Sequence, residues 1–408
     1  MQRRRFMCCG AAAAGLFSSL GAAAPPNNPC EGALPESLRN HELLARCWEG
    51  LDPAEMWDVH AHLLGTGDSG SGCRINAQMT QWWHPVEVLR RRVVLSGACV
   101  PPDSPCVDRA YVQRLTQLTH DFPVGSRWML YAFDEALDAQ GHARPEWTTF
   151  HVPDRYAQAT AAANSARFAW VASIHPYHPD ALVRLDAAIR NGAVAIKWLP
   201  SSMNIDLRDA RLKPFYDRLA KARLPLIIHC GEEKAVPGAG QDELGNPLLA
   251  RVALSAGVRV IIAHCASLGT ALDLDQKRPR RVPAFELFAR LMDERAWDQL
   301  LLGDVSALFQ SNRSPEVWKT VLTRRDWHAR LLHGSDYPLP GVGPLYRLSG
   351  LLRASVLTES HAAVLESVRE HNPLLFDWML KRLVRWQGQG FETAVFATRR
   401  HFGHANQG

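Results

Sequence analysis

Several features are scarce in this chain of 408 residues, and each scarcity removes a class of function. No segment reads as a membrane span. The apolar stretch Cys8 to Leu20 is short and alanine-rich, whereas a spanning helix needs about 20 strongly apolar residues. Charge of either sign is not in excess. Arg3, Arg4 and Arg5 account for three of the 46 basic residues, leaving 43 against 41 acidic ones. That balance offers no electrostatic footprint for nucleic acid. Cysteine is present nine times but never as a CxxC pair, which argues against a separate cysteine–zinc site. Sequence repeats are absent too. The apolar fraction of 47% still allows an ample core.

What is present starts at Trp57-Asp58-Val59-His60-Ala61-His62. Side chains on a strand alternate with period two, so His60 and His62 project to one side and can share a metal ion. Alone, such a pair is weak, because a histidine in a strand is usually a satisfied core residue. Four further apolar runs, however, carry ligand-type residues near their C-terminal ends. These are Ala195–Leu199 with Lys197, Leu226–Cys230 with His229, Ile261–Cys265 with His264, and Leu331–Asp336 with Asp336. The spacing is 32 residues from Lys197 to His229 and 35 from His229 to His264. It is 72, two steps of 36, from His264 to Asp336, and the run Leu300–Val305 with Asp304 fills the skipped step. Strands at that interval with helical patterns between them read as successive βα units on a parallel sheet. The predicted fold is therefore α/β, a (β/α)8 TIM barrel with helical and loop insertions. Its catalytic residues come from the C-terminal strand ends.

His60-x-His62, Lys197, His229, His264 and Asp336 together resemble the amidohydrolase superfamily. The wording Ile196–Asp206, Gly334-Ser335-Asp336-Tyr337-Pro338 and Asn372-Pro373 is similar to its amidohydrolase-related (type 2) branch. The likeness runs from about Met56 to about Arg382. It implies divalent metal, zinc first, two ions per chain. One would sit on His60, His62 and Asp336, the other on His229 and His264, with carbamylated Lys197 and a hydroxide between them. A buried amine is pushed towards neutrality and can then add carbon dioxide. Lys197 and Asp336 are the implied catalytic residues, Asp336 as the proton carrier. His175, Asp304, Glu232 and Ser267 are candidates for substrate contact or support. The structural alternative for Lys197 is an ion pair, for example with Asp304. The expected activity is metal-dependent hydrolysis of an ester, lactone, amide or related bond in a small molecule. Its rivals are a mononuclear decarboxylase or hydratase acting on a carboxylic acid, and a non-catalytic binding module. Lys197 favours the hydrolase, since a single-metal lyase needs no bridge.

Along the chain, residues 1–24 are expected to be an export signal. Arg3-Arg4-Arg5-Phe6-Met7 resembles the twin-arginine pattern, and Ala22-Ala23-Ala24 offers small residues for cleavage. A periplasmic or secreted enzyme with no stable membrane insertion follows from that. Residues 25–55 are expected as a linker and a helix over Leu34–Trp48 packed under the barrel. The barrel domain is expected over 56–387 and a polar C-terminal tail over 388–408. Helix is expected over His84–Phe122, broken at Ala98–Pro105, over Pro153–Ala166, and over Ala362–Val384 with a turn at Asn372-Pro373. The loops 65–72, 141–150 and 273–281 would border the site. The first is either mobile or substrate-contacting, the last a solvated loop or a basic rim. Cys30–Cys47 and Cys99–Cys106 are conceivable disulfides, but sequence does not fix pairing. Cys230 and Cys265 read as buried core residues aimed away from the site.

Overall fold

The computed structural model describes residues 28–101 and 103–403, so the expected export signal lies outside the described residues. Eight parallel strands form the centre. They are β1 Trp57–His62, β2 Arg127–Tyr131, β3 Phe168–Val171, β4 Ile196–Trp198, β5 Leu226–His229, β6 Val260–Ala263, β7 Leu301–Asp304 and β8 Leu331–Leu332. β1 to β3 pair in order, as do β4 to β8. Two narrow seams join these arcs. Ala172 bridges Ile196 after β3, with Lys197 N donating to Ala172 O at 2.8 Å. Past β8, Val59 N donates to His333 O at 3.0 Å and Asp336 N to His60 O at 2.8 Å. These bridges connect the two arcs of a TIM-barrel arrangement at both of their edges.

Alternation along the strands separates two cores. An inner cluster contains Trp57, Val59, Met129, Tyr131, Ala169, Val171, Ala195, Ile227, Ile261, Leu302 and Leu332, all buried. The outward-facing residues join the larger cluster under the surrounding helices. Phe402 also belongs to the inner cluster, its ring stacked on Trp57 at 6.3 Å. The segment expected as a polar tail is therefore packed against the barrel. His333 N donates to Val395 O at 2.8 Å, Met56 bridges Ala397, and Thr398 Oγ1 donates to Trp57 O at 2.5 Å. Phe402 closes this end of the barrel, while Phe391, Val395 and Phe396 pack into the outer core.

The N-terminal helix Glu42–Trp48 packs against the helix Pro373–Leu383 and the segment leading into β2. Trp48 meets Phe122 and Trp378, and Trp378 Nε1 donates to Cys47 O at 3.3 Å. Helices over Pro85–Gly97, Val107–Thr119, Asp154–Ala163, Glu359–His371 and Pro373–Leu383 match the expected pattern, including the break at Asn372. Neither conceivable disulfide forms: Cys30 pairs with Cys99 across 69 residues, leaving Cys47 buried and Cys106 as a free thiol. No described helix is long and apolar enough to cross a membrane.

Candidate metal centre

Six of the expected residues converge at the C-terminal strand ends. His60 Nε2 lies 3.5 Å and His62 Nε2 3.2 Å from Asp336 Oδ1. The His60 ring centroid is 5.1 Å from that of His62 and 4.8 Å from that of His264, and His264 is 5.4 Å from His229. Lys197 Nζ is 5.3 Å from the centre of the Tyr131 ring.

Strand phase explains how some of these side chains arrive. Ala195 and Lys197, Ile227 and His229, and Leu302 and Asp304 continue one inward-facing series on β4, β5 and β7. β1 does not. Trp57 and Val59 face inward, and alternation would then send His60 outward. The register between β1 and β2 slips between Asp58 and Ala61, and Ala61 joins the outer core while His60 and His62 reach the site. An irregularity of this kind re-aims side chains next to a site. After β6, His264, Cys265 and Ala266 all adopt left-handed conformations, with φ of 55°, 51° and 51°. That turn buries Cys265 in the outer core, its thiol donating to Asp304 O at 3.1 Å. Asp336 is also left-handed, with φ of 61°. Such strain persists where surrounding structure holds it. Gly334 lets β8 approach: a Cβ there would meet His60 Cβ at 2.6 Å.

Hydrogen bonds hold the imidazoles in one tautomer. His60 Nδ1 donates to Asp304 Oδ2 at 2.9 Å. His264 Nδ1 donates to Ser306 Oγ at 2.7 Å, and Ser306 Oγ in turn donates to Asp304 Oδ1. His229 Nδ1 faces Glu233 Oε2 at 3.3 Å. In all three rings the Nε2 lone pair is left over, and the Nε2 atoms of His60 and His229 are buried with no partner. Burial holds the pKa of His60 and of His264 well below the usual histidine range, and lowers that of His229 against the pull of Glu233. Neutral imidazoles oriented by an acceptor on the far nitrogen are the form that binds metal.

Asp304 is heavily hydrogen-bonded. It forms a second His/His/Asp group with His60 and His264, with ligand atoms within 4.8 Å of one another. Its oxygens, however, already accept from His60 Nδ1, His264 N, Ser306 N and Ser306 Oγ. The ion pair considered for Lys197 does not form: Nζ is buried without a partner. Burial lowers its pKa to about 8, although Asp304, Asp336 and Glu233 pull the other way.

The other candidates divide. His175 is drawn out of the site, since Nε2 donates to Met203 O at 2.7 Å and Nδ1 accepts from Tyr177 N at 3.2 Å. Glu232 is half-exposed and faces Lys234 at 3.5 Å, and its neighbour Glu233 is the carboxylate that reaches His229. Ser267 Oγ is buried without a partner. The loop 65–72 is tied down by Asp108, which accepts from Thr66 N, Gly67 N, Ser69 Oγ and Ser71 Oγ at 2.6–3.1 Å. In the loop after β6, Asp273 is consumed by Arg290 and Asp275 by Arg251, so its acids are internal links. Two neighbours of the centre, Glu233 and Ser306, are not among the residues the sequence singles out; both lie in loops past a strand end, where no periodicity tells which side chain turns inward.

The donor set fits a metal. Imidazoles, a carboxylate and an orphaned amine, with buried lone pairs and no acceptor-side partners, match the composition of such centres. The fold and this set define a metal-dependent enzyme on a (β/α)8 barrel. The chain matches the model of the Amidohydrolase family over residues 129–376, more than half its length, and belongs to that family. No curated protein sequence matches it. Solved structures similar to it include an uncharacterised TIM-barrel protein from Bordetella bronchiseptica (15% identity, 73% of this chain and 90% of that one, TM-score 0.48). Others are a putative 2-pyrone-4,6-dicarboxylic acid hydrolase from Pseudomonas putida (16%, 69% and 82%, TM-score 0.41) and 4-oxalomesaconate hydratase from Rhodopseudomonas palustris (14%, 85% and 95%, TM-score 0.42).

Proposed function

We propose that this enzyme is a binuclear metal-dependent hydrolase that cleaves an ester, lactone, amide or related bond of a small molecule. The observation that carries the reading is the Lys197 Nζ atom, buried, unpaired and depressed in pKa among the ligand histidines. A lone cation there would be costly. As a neutral amine it can attack carbon dioxide, losing a proton and forming a carbamate whose oxygens serve as ligands. His60, His62 and Asp336 would hold one divalent ion, and His229 and His264 a second, with carbamylated Lys197 shared. Metal bound there supplies Lewis acidity that acidifies water and polarises the scissile carbonyl. Asp336 takes up the proton released by the attacking water and hands it to the leaving group. Asp304, Ser306 and Glu233 keep the imidazoles oriented.

Elemental analysis after loading with zinc and bicarbonate tests this, with about two ions expected per chain. A single tight ion, unchanged in Lys197→Ala, would refute the binuclear hydrolase and favour the mononuclear lyase. Asp336→Asn keeps an oxygen ligand but loses the base. On a panel of lactones, esters and amides its turnover should fall roughly 10²–10⁴-fold with metal content near wild type. Full turnover with both ions bound would remove Asp336 from the proton-carrier role. The enzyme is further proposed to be exported. The Cys30–Cys99 pair suits an oxidising compartment, and replacing Arg3, Arg4 and Arg5 by Lys should retain the precursor inside the cell.

A further inference from the structure

The peptide unit between Val59 and His60 lies where β1 departs from regular pairing, since its register with β2 slips between Asp58 and Ala61. Side chains hold that unit on both sides. Its N–H, that of His60, donates to Asp58 Oδ1 at 3.0 Å. Its C=O, that of Val59, accepts from Tyr131 Oη at 2.5 Å. Rotating a peptide unit changes ψ of the residue before it and φ of the residue after it together. The orientation of this one unit therefore sets the direction in which His60 leaves the strand.

Tyr131 is the last residue of β2 and lies opposite His62. It is buried and faces inward with Val59 and Val171. Its ring stands among the groups of the centre. The ring centroid is 4.8 Å from that of His60 and 5.6 Å from that of His62, the latter edge-to-face at 82°. Lys197 Nζ is 5.3 Å from the same centroid. A second tyrosine acts at the other end of the histidine pair, where Tyr111 Oη donates to His62 O at 2.7 Å. The Tyr111 ring, however, turns to Tyr337 at 5.7 Å. Tyr131 touches both the displaced peptide and three side chains of the centre.

We propose that Tyr131 is a positioning residue for the metal centre. Its hydroxyl fixes the Val59–His60 peptide so that His60 presents Nε2 beside Asp336 Oδ1, and its ring keeps His60, His62 and Lys197 at their spacing. The inference rests on the metal-centre reading above, whichever bond the enzyme cleaves.

Two measurements test it: zinc affinity by competition with a chromophoric chelator, and the visible absorption of the cobalt(II)-loaded protein. Tyr131→Phe keeps the ring and removes the hydroxyl. It should weaken zinc binding roughly 10–100-fold and shift the cobalt d–d bands, which report ligand geometry. Tyr216→Phe is the control. It removes another buried hydroxyl–carbonyl bond, to Leu207 O at 3.0 Å, on the helix Lys213–Ala222, and should leave both readouts at wild type. Tyr131→Leu removes the ring as well and should weaken zinc binding at least as much as Tyr131→Phe, and it decides the matter if Tyr131→Phe does not fold. A lower unfolding temperature with zinc affinity and cobalt spectrum unchanged would make Tyr131 a core residue only and overturn the proposal. An equal loss of zinc affinity in Tyr216→Phe would overturn it too. Failure of the hydrolase reading looks different: one zinc ion and no cleavage of the ester panel, with the Tyr131 dependence of zinc binding intact.

Discussion

Lys197 in the mouth of the barrel and Lys381 on the helix Pro373–Leu383 are equally buried, each 1% exposed. Their surroundings are opposite. Lys381 Nζ donates to Gly334 O at 2.6 Å and to Asp377 Oδ2 at 2.5 Å. Gly334 lies two residues before Asp336. Nearby, Asp58 Oδ1 accepts from His60 N at 3.0 Å and Ser335 N at 2.9 Å, so buried charges behind β1 and β8 brace both ligand-bearing strand ends. Burial still raises Asp377 to about 7, against the pull of Lys381. Lys197 has no such partners. One buried lysine is satisfied by the fold, and the other is left for chemistry that the fold alone does not complete. Burial by itself therefore says little about role; the partner count decides.

The largest expected effect comes from breaking the satisfied lysine. Lys381→Met leaves Asp377 and Gly334 O without their donor and should cost about 3–5 kcal/mol in denaturant unfolding, the usual range for one half of a buried pair. A loss under about 1 kcal/mol would erase the contrast. Lys197→Met should act in the opposite direction on metal-free protein. Folded Lys197 releases its proton near pH 8, whereas the unfolded lysine does so near 10.5. Below pH 8 that difference weighs against folding by about 3 kcal/mol as an upper bound, so the variant should gain stability at pH 7 while losing metal. Between those two pKa values the unfolded chain binds more protons, and wild-type stability should rise with pH. A Lys197→Met profile parallel to wild type through that window would show that Lys197 is not the group titrating. The smallest effect sharpens the reading of the mouth. Ser306→Ala removes the acceptor that orients His264 and should lower zinc affinity roughly 10–100-fold, with little change in unfolding. Unchanged affinity would assign that orientation to Asp304 alone.

Side-chain placement is legible in the sequence where strand alternation runs on undisturbed. Lys197, His229 and Asp304 sit where their apolar neighbours place them. The sequence marks His60 and His62 as a pair, because a two-residue step keeps them together, but shows no sign of the slip that turns them inward after Val59. It places His264 correctly but not the left-handed turn that holds it there. Nothing in the sequence distinguishes the adjacent loop carboxylates Glu232 and Glu233, and Glu233 is the one that reaches His229. The disulfide and the plugging role of Phe402 lay further out of reach, since each joins segments remote in sequence.

The sequence by itself determined the period of the βα units, the order of the strands, and which residue types stand at their C-terminal ends. Those are local properties, set by the alternation of apolar and polar side chains and by the steps between them. Only the tertiary structure decided which buried group has a partner. Nothing in the local sequence tells Lys381 from a surface lysine, and the packing of distant segments saturates it while leaving the Lys197 amine without a partner, because hydrogen bonding at a buried site is settled by whatever the rest of the fold brings within about 3 Å.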